Sequence, residues 1–131
     1  MTIAYGCILI AALLPYVWIV IAKSAGQRYD NRDPRQWLAR QDNPRTNRGT
    51  AAQLNAFEAF APFAAAVLMA QFAAVDPVRI TWLAVALVVL RVLHGVFYLA
   101  GSHQLRSLVW FGGFACVIAL MVLAAVRIAS H

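Results

Sequence analysis

Apolar runs alternate with polar breaks in a pattern that predicts four long helices. The first run, Ile3 to Ala22, carries no charge across twenty residues. At ~1.5 Å per residue that suffices to cross a bilayer core of ~30 Å. Pro15 lies within it and is expected to kink the helix or widen a gap for a neighbour. From Lys23 to Arg48 the pattern inverts to charged and polar, punctuated by Pro34 and Pro44. Asp33-Pro34 reads as an N-cap followed by proline at the first helical position. It predicts a short surface helix over about 34–41, resting Trp37 and Leu38 on the membrane interface. A second apolar run extends from about Thr50 to Val75, a third from about Val78 to Ala100, and a fourth from about Gln104 to Ile128. Asp76-Pro77 and Gly101-Ser102-His103 form the turns between them, and connections this short make the last three helices antiparallel neighbours. The expected helices are about 2–23, 48–75, 78–101 and 104–129, with a loop over 24–47, all in a single domain spanning 1–131. The fold class this predicts is all-α, an integral membrane four-helix bundle.

Composition points the same way. Of 131 residues, 63% are apolar and 12% charged, whereas a soluble domain is roughly half apolar. The formal charge of +6 is not that of a nucleic-acid binder, because no basic stripe interleaved with aromatics accompanies it. Lys23, Arg28, Arg32, Arg35, Arg40, Arg45 and Arg48, seven of the eleven basic residues, fall in or beside the polar segment. With Arg106 added, that side holds eight basic residues against Arg79 and Arg127 on the other. The asymmetry predicts a cytoplasmic loop with both termini on the opposite side. The charges follow the first apolar run instead of preceding it, the reverse of a signal peptide, so this helix is expected to be retained. Cys7 and Cys116 sit in apolar runs without metal-ligand spacing and read as small hydrophobes.

The candidate chemistry lies in the polar residues inside the apolar runs. Asn55 and Glu58 are three apart and share one face of the second long helix. Arg91, His94 and Tyr98, at i, i+3 and i+7, share one face of the third. Counting ~1.5 Å per residue from the loop side, Asn55 and His94 lie about 10 Å deep, and Glu58 and Arg91 about 15 Å deep. Depth thus predicts two pairs, Glu58 with Arg91 and Asn55 with His94, with Arg106 at the mouth. Such a pair can simply lock two helices together, but intramembrane charges cost roughly 3 kcal/mol or more and commonly mark sites. Arg91 and Arg106, with Lys23 and Arg48 near the rim, suit carboxylates, and Glu58 suits an ammonium. Asn55 and Tyr98 offer neutral hydrogen bonds. The set fits a small zwitterionic, polyanionic ligand and lacks the carboxylate and histidine spacing of a metal centre.

At these residues the chain resembles the family of membrane-associated proteins in eicosanoid and glutathione metabolism (MAPEG). One stretch is Arg48-Gly-Thr-Ala-Ala-Gln-Leu-Asn55-Ala-Phe-Glu58-Ala-Phe-Ala-Pro62-Phe63. The other is Arg91-Val-Leu-His94-Gly-Val-Phe-Tyr98-Leu, followed after a turn by Arg106-Ser107. The Arg91 stretch is most similar to the microsomal prostaglandin E synthase and microsomal glutathione transferase branch, and Asn31-Arg32-Asp33-Pro34-Arg35 resembles the first loop of bacterial members. The resemblance implies a homotrimer in a bacterial inner membrane, with glutathione as co-substrate bound between subunits. It further implies that Lys23, Arg48, Asn55, Glu58, Arg91, His94 and Tyr98 line that site. Arg106, with Ser107 beside it, would act on the glutathione sulfur, and a lipophilic small-molecule substrate would enter from the membrane lipids. Two positions depart from the pattern: Ala51 stands where several eukaryotic members carry arginine, and Trp110 where an aromatic phenol is common. A non-catalytic lipid-binding or scaffold role, like that of the lipoxygenase-activating member, is the alternative. A small transporter component is a third reading.

Overall fold

The computed structural model describes residues 1–131. Five helices follow one another: α1 Thr2–Ser24, α2 Pro34–Ala39, α3 Pro44–Phe72, α4 Pro77–Ala100 and α5 His103–Ala129. Helices α1, α3, α4 and α5 are each long and apolar enough to cross a membrane, and together they make the four-helix bundle of an integral membrane protein.

Three helix starts share one device. An Asx side chain caps the free backbone N–H groups, and proline, which has no N–H to leave unpaired, takes the first helical position. Asp33 caps α2 through Gln36 N at 3.4 Å, Asn43 caps α3 through Arg45 N at 2.9 Å, and Asp76 caps α4 through Val78 N at 3.0 Å. The Asn43-Pro44 cap starts α3 ahead of the expected 48, so its first turn is polar and stands outside the apolar span. At its other end α3 stops at Phe72, short of the expected 75. Val75 N bonds Ala70 O and Ala74 N bonds Gln71 O, both at 3.0 Å. This is a Schellman closure, with Ala74 in the left-handed region at φ 57°. Helix α4 closes the same way, but there the left-handed position is filled by Gly101 at φ 75°.

Small residues bring the helices close. A Cβ on Gly49 of α3 would lie 2.7 Å from the Cβ of Ala22 on α1, and one on Gly95 of α4 would overlap the Trp18 indole. Such contacts let backbones approach where lipid supplies no hydrophobic drive between helices. At the face away from the loop, the Tyr5 hydroxyl of α1 donates to Gln71 Oε1 of α3 at 2.5 Å. The main core occupies this half of the bundle, built on Phe63, Val67, Ile80, Leu87 and Leu120. A smaller cluster of Leu14, Trp18, Ala52 and Ala56 lies nearer the loop. Pro15 is fully buried inside α1. The outer surface is apolar, as a lipid-facing belt requires; Phe72 is 90% and Trp82 71% exposed.

The loop departs from expectation at Trp37. This side chain does not rest on the membrane interface but is buried beneath the loop. Its Nε1 donates to Arg28 O at 2.9 Å and its ring meets Tyr29 edge-on. An indole N–H needs a partner when buried, and the loop backbone supplies one. Asp30 and Arg32 form an exposed ion pair at 2.9 Å that lowers the carboxyl's pKa and raises the guanidinium's.

Candidate functional site

Arg91, deep on α4, is buried, and its Nη2 donates to Asn55 Oδ1 of α3 at 2.6 Å. The pairing predicted from depth is therefore corrected. No ion pair joins Glu58 to Arg91, and the asparagine takes the cation instead. Three residues are ~4.5 Å along the axis but also turn the side chain round the helix, so Asn55 faces inward while Glu58 is exposed. A guanidinium carries five N–H donors, and none of those on Arg91 is both buried and unpaired. The groups not used by Asn55 therefore open onto space.

That space has two compartments. The upper one, an open hollow near the loop side of about 330 Å³, lies among Asn55, His94, Tyr98, Arg106, Ser107, Trp110 and Phe111. Here the Arg106 guanidinium lies over the Tyr98 ring, 4.3 Å from its centroid, and His94 meets the same ring edge-on at 5.7 Å. A cation held over an aromatic face is fixed in position while its N–H groups remain free. Trp18, packed against Gly95, fixes the backbone next to His94.

The lower compartment, about 170 Å³, lies between α3, α4 and α5 and is mostly apolar: Pro62, Leu87, Gly113, Phe114 and Val117, with Asn55, Glu58 and Arg91 along its polar edge. Asn55 and Trp110 belong to both compartments. The Trp110 ring stacks on Phe114 at 5.3 Å with an interplanar angle of 9°, giving the lower compartment a flat aromatic side. Pro62 has no N–H to offer the carbonyl of Glu58 four residues back, so that acceptor lacks its usual helical partner. Gly113 leaves room beside Arg91, since a Cβ there would stand 3.9 Å from Arg91 Cδ. A polar, cationic chamber thus opens beside an apolar one at membrane depth.

The MAPEG family model matches residues 3–126. The chain belongs to the MAPEG family. No curated protein and no solved structure matches it. MAPEG proteins are four-helix membrane bundles, and the family includes glutathione transferases and peroxidases as well as non-catalytic members.

Among the residues singled out in this MAPEG chain by sequence, Asn55, His94, Tyr98, Arg106 and Ser107 converge on the upper compartment, and Glu58 and Arg91 on the lower. Lys23 and Arg48 are not brought into either. The Lys23 ammonium sits over the Tyr29 ring at 4.5 Å, and the Arg48 guanidinium lies 3.0 Å from where a Cβ on Gly101 would stand. Sequence reasoning missed the apolar chamber. Its signal was the i, i+4 pair Trp110 and Phe114 beside Gly113, which puts two rings and a gap on one face of α5.

Proposed function

We propose that this protein is a membrane-bound glutathione-dependent transferase or peroxidase acting on lipophilic electrophiles, of the microsomal prostaglandin E synthase and glutathione transferase branch. The observation that carries this reading is Arg106, held over Tyr98 with Ser107 beside it at the mouth of a chamber that adjoins an apolar one. In this reading Arg91, Asn55, His94 and Glu58 bind the charged and amide groups of glutathione, with Lys23 and Arg48 at the rim. Arg106 faces its sulfur. A permanently charged guanidinium favours thiolate over thiol, and the thiolate is the nucleophile. Its sulfur attacks the electrophilic atom, forming the new bond to sulfur as the leaving group departs. Trp110 has no phenol to supply a proton, so the proton comes from water or another side chain.

A homotrimer with the site between subunits belongs to the same proposal. Glu58 stands at mid-length of α3 yet is exposed on the single subunit. A carboxylate bare to hydrocarbon at that depth is costly, and a neighbouring copy covering α3 keeps it enclosed. The basic loop supports a reading in which that face is cytoplasmic and both termini lie opposite, and a bacterial inner membrane belongs to the same reading. The apolar chamber also suits the alternative reading, a lipid-holding member without catalysis.

Glutathione titrated against a panel of hydrophobic electrophiles and hydroperoxides, wild type beside Arg106→Ala, separates the two. Turnover that falls about 100-fold or more in the variant, the usual scale for losing one charge-stabilising donor, supports the enzyme. No turnover with any electrophile, together with retained lipid, supports the holder.

A further inference from the structure

A separate groove of about 420 Å³ opens at the membrane face opposite the loop, between the start of α4 and the end of α5. Arg79 and Arg127 line it, with Asp76 and Ser130 at the rim and Leu123 and Val126 along its apolar wall. These arginines are the two basic side chains that the sequence puts on this sparsely charged side. They come from different helices, far apart in the chain, and meet in one groove. Neither is in an ion pair. Asp76, the acidic side chain at the rim, accepts from Val78 N at Oδ1, at 3.0 Å. The side chains of the groove thus sum to a single positive charge.

Helix electrostatics explain one arginine and not the other. Arg127 is in the last turn of α5, where the partial negative end of a helix favours a cation. Arg79 is the third residue of α4, in a first turn without an acidic residue after the cap, where the positive helix end opposes it. An anion in the groove removes that conflict, because it is attracted by both guanidiniums and by the helix start. The apolar wall says what kind of anion. Ser130 to Leu123 descends ~10 Å at helical rise, past the exposed Val126. That is the passage from headgroup level to acyl level.

We infer that this groove binds an anionic phospholipid, its phosphodiester between Arg79 and Arg127 and an acyl chain along Leu123 and Val126. A free phosphate would satisfy the arginines and leave the wall unused.

The test exposes delipidated protein to mixed micelles of phosphatidylglycerol and phosphatidylcholine and follows, by native mass spectrometry, the lipid that resists removal longest. Wild type retains phosphatidylglycerol in preference. At about 1 kcal/mol per basic side chain near a lipid surface, each of Arg79→Gln and Arg127→Gln lowers retention about five-fold. The exposed loop variant Arg35→Gln/Arg40→Gln keeps the wild-type value, and inorganic phosphate does not displace the lipid. Wild-type retention in both single variants overturns the inference, as does equal loss in the loop variant. Displacement by phosphate alone assigns the groove to a soluble anion and overturns it too. Each single variant changes one exposed side chain at a helix end, and helix content by circular dichroism identifies any that fails to fold.

Discussion

Arg91 of α4 is tied to a neutral amide and not to the carboxylate nearby: its Nη2 donates to Asn55 Oδ1 at 2.6 Å, while Glu58 forms no ion pair. The bond holds α3 to α4 beside both compartments and leaves the remaining guanidinium donors for a ligand. Removing the amide strands a buried cation. Asn55→Leu is expected to lose about 1–3 kcal/mol, the cost of an unsatisfied buried donor. Asn55→Asp, which keeps an acceptor, is expected to lose less. Thermal unfolding in detergent measures the difference.

Tyr98 positions Arg106 through its ring and not its hydroxyl. Tyr98→Phe should therefore leave glutathione affinity near wild type. Tyr98→Leu should weaken it by about two- to five-fold, the scale of a partly exposed cation–π contact of about 0.5–1 kcal/mol. Equilibrium titration of the two variants with glutathione decides the point.

Gly113 keeps the apolar compartment open beside Arg91. Gly113→Leu would fill it. In the proposed reading, turnover of bulky electrophiles should fall more steeply than glutathione affinity, because Asn55, Glu58 and Arg91 only edge this compartment. A titration beside an activity panel graded by electrophile size reads both effects.

The two Schellman turns make a matched pair. Ala74 sits in the left-handed region that costs a side-chain-bearing residue ~1–2 kcal/mol, so Ala74→Gly is expected to stabilise by about 0.5–1 kcal/mol after the added chain entropy of glycine. Gly101→Ala should destabilise, since its Cβ would also press within 3.0 Å of the Arg48 guanidinium. Melting temperatures moving in opposite directions test this.

The bundle was legible in the sequence because membrane spanning imposes length and apolarity on each helix, and the Asp33, Asp76 and Gly101 punctuation is chemically explicit. Asn43-Pro44 carries the same cap chemistry, yet the polar turn that follows disguised it as loop. The end at Ala74 had no signal at all, since alanine in the left-handed position is imposed by the tight α3–α4 turn and not by its own preference. Within the site, helical periodicity found the faces bearing Asn55, Arg91, His94 and Tyr98. It could not choose between Asn55 and Glu58 as the partner of Arg91, because that choice depends on how each helix is rotated against its neighbours. Trp37 has the composition of an interfacial anchor, and only the folded loop supplies the Arg28 carbonyl that lets it be buried.

The role proposed for Arg106 is read most directly from the ultraviolet absorbance of the glutathione thiolate bound to purified protein at neutral pH, in wild type and in Arg106→Ala. A free thiol has a pKa of ~8.5 and is mostly protonated under these conditions. A thiolate band that saturates with glutathione is expected in wild type, and its loss is expected in the variant while glutathione still binds. A thiolate band undiminished in Arg106→Ala, or none in wild type with glutathione bound, would contradict that role.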